Sequence, residues 1–112
     1  MTDWHCDRLK SLIETSKGKV LLGGKVDKSN RYVEPTIIEN PDLKSAVMEE
    51  EIFGPIIPII TFKTIDEAIK IVNGKDKPLV VYYFGKVLFN KNIDRVMDET
   101  SSGAFVVNEA LL

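Results

Sequence analysis

The second half of the chain alternates short apolar strands with amphipathic helices, and that alternation constrains the fold more than any single motif. "IIPIITF" (Ile56 to Phe62) is an apolar run of strand length, with Pro58 near its start. Thr64-Ile65-Asp66-Glu67 follows it and forms a capping box, in which the threonine oxygen accepts from an orphan amide and Glu67 reaches back. Ile65, Ala68, Ile69 and Val72 then fall on one helix face, and Gly74 is a stop signal. "PLVVYYF" (Pro78 to Phe84) is nearly continuous in apolar residues, as a strand covered on both faces would be. Asn90 or Asn92 opens a second helix with the stripe Ile93, Val96 and Met97, and Gly103 leads into the strand "AFVVN". Strand-helix-strand-helix-strand with short connections predicts an α/β fold, a βαβαβ segment on a parallel sheet.

The first half is less regular. "TDWHCDRLKSLIETSKG" predicts a helix capped by Thr2 or Asp3, with Leu9, Leu12 and Ile13 at helical spacing and Gly18 as a left-handed stop. "KVLL" is a short strand, "KVDKSN" a polar turn, and one helical turn is expected after Ser45. "RYVEPTIIEN" is extended, but Pro35 lacks a ladder donor, which predicts an edge strand or an irregular arm. With 112 residues the chain holds one core or part of one, and it carries no internal repeat. It stops on "NEALL" directly after a strand, which reads as a domain cut short.

Composition removes several classes of function. The net charge is -2 and the lysines are scattered, so there is no basic footprint and no nucleic-acid partner is expected. No apolar run approaches the ~20 residues of a membrane helix, and the N-terminus lacks the layout of a secretory signal. A single cysteine excludes an internal disulfide and fits a reducing compartment, so the expected location is cytoplasmic. Cys6 and His5 are neighbours on the first predicted helix, where side chains diverge by about 100° and cannot easily share a proton or a metal. There is one histidine, hence no metal set, and Cys6 reads as a packing residue. "GKVLLGGK" fails as a phosphate loop, because Lys19 stands where the opening glycine belongs and Val26 where the magnesium-holding hydroxyl belongs.

"MEEEIFGPIIPII" (Met48 to Ile60) is harder to dismiss, since three adjacent carboxylates run into Ile-Phe and a Gly-Pro turn. A carboxylate can accept from both hydroxyls of a ribose, and an aromatic ring two residues on can lie beside a flat heterocycle. Gly54-Pro55 would aim both side chains the same way. The plainer alternative is a solvated acidic turn with Phe53 as a core anchor, and spacing alone favours it.

The wording of these segments resembles a known family. "EEIFGP" (Glu50 to Pro55) looks like a hallmark of the aldehyde dehydrogenase superfamily. "RYVEPTII", "VMEEEIFGPIIPI", "DKPL" and "ETSSG", in this order and spacing, resemble its class 3 and fatty-aldehyde branch, from about Trp4 to Asn108. The resemblance implies NAD- or NADP-dependent oxidation of an aldehyde substrate to a carboxylic acid, through a cysteine thiolate and a glutamate-activated water. By position it implies that Glu51 holds the nicotinamide ribose hydroxyls, that Phe53 packs near the nicotinamide ring, and that Gly54 and Pro55 form the turn presenting them.

The resemblance also implies what this chain lacks. In the family the nucleophile, the general-base glutamate, the oxyanion-stabilising asparagine and most of the cofactor domain lie upstream of this segment. A glycine-rich loop and an oligomerisation strand should follow Asn108. Residues 1–112 are therefore expected to be the C-terminal part of a catalytic domain, with no catalytic residue of their own and a homo-oligomer, a dimer, for the complete enzyme. The chain alone is expected to be inactive and to self-associate through exposed apolar surface. The rival expectation is a catalytically inactive interaction or oligomerisation module.

Overall fold

The computed structural model describes residues 1–110, and the chain divides into two compact units, Met1–Thr61 and Phe62–Leu112. The two leucines that end the sequence lie outside the described residues.

The first unit opens with helix α1 (Asp3–Glu14), capped by Thr2, whose hydroxyl accepts from the His5 amide at 3.1 Å. Cys6, Leu9 and Leu12 recur at three-residue spacing and form the buried face of α1. They meet Val33, Ile38, Val47 and Ile56 in one apolar core. Burying a leucine fully contributes about 1.5–3 kcal/mol, so Leu9 and Leu12, almost wholly shielded, are principal anchors of this unit. The helix does not end on a left-handed Gly18 as expected. Lys17 takes that conformation at φ 58°, and Gly18 is needed for a close approach instead. A Cβ on Gly18 would lie 2.5 Å from Ile38 Cγ2 and 2.9 Å from the Glu39 carbonyl oxygen.

Strands β1 (Lys19–Leu22), β4 (Thr36–Glu39) and β5 (Ile56–Ile59) form a sheet in the order β1-β4-β5. β1 pairs with β4 antiparallel, and β4 with β5 parallel, Ile38 opposite Pro58. β2 (Val26–Asp27) and β3 (Tyr32–Val33) make a separate small hairpin where only a polar turn was expected. Asp27 closes that hairpin by accepting from Ser29 and Asn30, and these bonds hold its carboxyl below the usual range. The segment around Pro35 departs from the expected edge or arm, because β4 is the central strand. Pro35 sits in the gap between β3 and β4, so its missing donor removes no ladder bond. Pro58 does lie on the edge strand of this sheet. The Pro55 carbonyl accepts from the Thr36 amide of β4 at 2.8 Å and the Ile59 carbonyl from the Asn40 amide just past its end at 2.7 Å, and alternation therefore turns the Pro58 nitrogen away. The single helical turn after Ser45 is present as α2 (Ala46–Glu49).

The second unit contains α3 (Ile65–Asn73), β6 (Val80–Tyr83), α4 (Lys91–Glu99) and β7 (Ala104–Val107). Thr64 caps α3 by accepting from the Glu67 amide at 3.3 Å, while Glu67 reaches back to the Lys63 amide at 2.8 Å, one residue earlier than the simplest capping box. Gly74 ends α3 in a right-handed conformation, φ −78°. Asn90 caps α4 through the Asn92 amide. β6 and β7 run parallel with α4 between them, Val80 opposite Ala104 through Tyr83 opposite Val107. The expected α/β class holds, with one βαβ unit in this half. The parallel partner of β5 is β4, however, which the sequence pattern did not connect to it. Arg95 links the two helices of the unit, at 2.5 Å from Asp66 and 2.7 Å from Glu99.

Two measurements check this description. Gly18→Ala should cost about 1–3 kcal/mol in urea unfolding, since the new methyl meets backbone atoms. Gly74→Ala should be neutral or slightly stabilising, because its nearest contact is 3.4 Å away and its φ is negative. Hydrogen bonding from Arg95 depresses the Glu99 carboxyl below its ordinary 4.5, so the stability it contributes is present above that value and lost as pH falls through the folded one. A carboxyl NMR titration of Glu99 should therefore show a midpoint below 4.5 that returns toward it in Arg95→Met.

Candidate functional site

The acidic turn lies between α2 and β5 and is fastened to α1. Arg8, only 17% exposed, donates from Nη1 to the Glu51 carbonyl at 3.3 Å and from Nη2 to the Ile52 carbonyl. The same guanidinium lies 3.6 Å from the Glu50 carboxylate. One turn earlier, His5 Nε2 meets the Phe53 carbonyl at 2.8 Å. A carbonyl only accepts, so the ring carries its proton on Nε2. Leu9 completes the seat, for a Cβ on Gly54 would lie 2.6 Å from Leu9 Cδ2. Only glycine lets the turn pass this close to the buried leucine.

These contacts decide what the turn presents. Glu50 is engaged by Arg8, whereas the exposed Glu51 carboxylate has no ion-pair partner among the described residues. Phe53 is not a core anchor. Its side chain is 78% exposed, and its backbone is left-handed at φ 46°. For a non-glycine residue that conformation costs roughly 1–2 kcal/mol. Among the described residues an aromatic ring held outward in this way adds little packing, unlike the core anchor that spacing favoured.

The other sequence candidates do not join the turn as chemical groups. Cys6 is fully buried, its Sγ 3.2 Å from Met1 Sδ, which fits packing and offers no access to a substrate. His5 is on the adjacent helical position but faces the Phe53 carbonyl, so the two do not form a nucleophile-base pair. Among the described residues no cluster of metal-ligating side chains occurs, and no helix is long and apolar enough to cross a membrane.

Residues 1–111 match the profile of the aldehyde dehydrogenase family. The chain belongs to that family. It is 46% identical to the rat aldehyde dehydrogenase family 3 member A2 over 108 residues, which is 96% of this chain and 22% of that protein. It is 41% identical to the rat dimeric NADP-preferring aldehyde dehydrogenase over 112 residues, 24% of that protein. Its fold matches the substrate-bound Staphylococcus aureus AldH with a TM-score of 0.84 at 38% identity, covering 98% of this chain and 24% of that one. The chain thus spans under a quarter of the length of these aldehyde dehydrogenases, and its α/β architecture is theirs.

Sequence reasoning weighed His5 only as a partner of Cys6 and did not single out Arg8, and it connected neither to the turn. Their spacing with Leu9 puts all three on one side of α1, which was readable. What they hold begins more than 40 residues later, and no local pattern announces it.

If the left-handed backbone is imposed by the clamp, substitutions at position 53 should separate backbone cost from packing. Phe53→Gly should leave the unfolding midpoint unchanged or raised, whereas the β-branched Phe53→Val should lower stability by about 1–2 kcal/mol.

Proposed function

We propose that this chain is the later part of the catalytic domain of an NAD- or NADP-dependent aldehyde dehydrogenase, and that it supplies the turn that seats the nicotinamide half of the cofactor. The observation that carries the reading is a turn, fastened to α1, that leaves Phe53 exposed and the exposed Glu51 without an ion-pair partner among the described residues. The donor set fits the group. Glu51 can accept from two vicinal ribose hydroxyls at once, and Phe53 offers an apolar face to a planar ring. When bound, such a cofactor accepts hydride from the oxidising carbon.

The chain's own residues hold rather than react. Glu51 binds the sugar, Phe53 limits where the ring can lie, and Gly54 keeps the turn against Leu9. Holding a reacting ring in one pose is itself a catalytic contribution, because misplacement by even 1 Å is costly in rate. The thiolate of the family's chemistry is not offered by Cys6, which is buried in the core. The aldehyde substrate, and the dimeric partner that the name of one relative suggests, belong to the same proposal.

Ligand fragments test the assignment on the 112-residue chain, followed by amide shifts of the turn. Nicotinamide mononucleotide should perturb Glu51 and Phe53. Glu51→Gln should weaken it about tenfold while leaving free nicotinamide unaffected, since only the sugar contact is lost. Phe53→Ala should weaken both. Equal loss for the two ligands in Glu51→Gln would remove the ribose role. The purified chain, given either cofactor and an aldehyde, should produce no reduced cofactor; measurable turnover would overturn the division of labour stated here.

A further inference from the structure

An exposed side chain points where its backbone points, and the direction of Phe53 is set by the two peptide planes that flank its Cα. Both planes are held from α1. The plane before Phe53 ends in the Ile52 carbonyl, which accepts from Arg8 Nη2. The plane after it begins with the Phe53 carbonyl, which accepts from His5 Nε2 at 2.8 Å. With both carbonyls fixed, φ and ψ of Phe53 are fixed, and so is its Cα–Cβ direction. No comparable packing holds the ring itself, which is 78% exposed. Nor is the observed backbone the one phenylalanine prefers, since φ is 46°. Remove one of the two bonds and the cheaper right-handed or extended conformation becomes available, turning the ring away.

We infer that His5 and Arg8 are positioning residues for the nicotinamide-contacting ring, acting through the Phe53 backbone rather than by touching the cofactor. The inference rests on the reading of Glu51 and Phe53 as cofactor contacts. Arg8 has a second duty at Glu51 and Glu50, so its loss would disturb more than the ring. His5 makes the cleaner probe, because the Phe53 carbonyl is the partner of its side chain.

The test uses the full 112-residue chain and three measurements. The wild-type His5 ring should show its proton on Nε2 in long-range nitrogen NMR, and a predominant Nδ1–H tautomer would overturn the inference without any variant. Phe53 should show the strong intraresidue amide–Hα contact of a left-handed residue. His5→Ala should lose it and bind nicotinamide mononucleotide about three- to tenfold more weakly, the range expected for one hydrogen bond. His5→Gln, whose amide nitrogen reaches a similar position, should restore both. Retention of the left-handed Phe53 signature in His5→Ala would sink the positioning role. Absence of any mononucleotide-induced shift at Glu51 or Phe53 in the wild type would instead sink the cofactor reading, so the two failures are distinguishable.

Discussion

The packing of one face of α1 is the constraint on which the first unit depends. Cys6, Leu9 and Leu12 fill a core shared with Val33 of β3, Ile38 of β4, Val47 of α2 and Ile56 of β5. Residues of β3, β4, α2 and β5 thus converge on a single helix. Leu9 also forms the floor beneath Gly54, so the residue that anchors the core sets how close the acidic turn can come. Once that distance is fixed, His5 and Arg8, each one position before a buried residue of the helix, Cys6 and Leu9 respectively, reach the turn's carbonyls. The polar clamp and the apolar packing thus share one helix.

Charge on this unit has a secondary role. Lys28 with Asp7 at 2.9 Å and Arg31 with Asp3 at 3.4 Å link the β2–β3 hairpin to α1 across exposed surface. Pairs of that kind contribute about 0–1 kcal/mol and are screened by salt. Arg8 is different because it is mostly shielded and serves two carbonyls as well as a carboxylate. A guanidinium suits this task, for its planar fork can address several acceptors along one stretch of backbone. A lysine there would carry its three donors on one nitrogen and lack the planar fork that addresses separate carbonyls in fixed directions.

Much of the fold was legible in the sequence where the signals are local. The Thr2 and Thr64 caps, the turn of helix after Ser45, the α4 start at Asn90 and the strands on either side of α4 all follow from residue chemistry within a few positions. Misreadings arose where a local signal had two tertiary outcomes. Gly18 looked like a helix stop, yet it is glycine because Ile38 and the Glu39 carbonyl press against it. Pro35 looked like the mark of an edge strand, yet it occupies a gap between strands and leaves β4 free to be central. The parallel pairing of β4 with β5 spans 20 residues in register, from Thr36 to Ile56, and nothing in either strand names the other.

By itself the sequence determined the α/β class, the presence of the main helices and the family, because these rest on periodicity, capping and the succession of short motifs from "RYVEPTII" to "ETSSG". It marked the Glu51–Pro55 turn as unusual but left open whether Phe53 anchors a core or faces outward. Only the tertiary structure decided that, by bringing His5, Arg8 and Leu9 against the turn and turning Phe53 into a left-handed, outward conformation. The reason is physical. An aromatic residue carries the same sequence signal whether buried or presented, and its direction depends on which backbone carbonyls a distant helix is placed to hold.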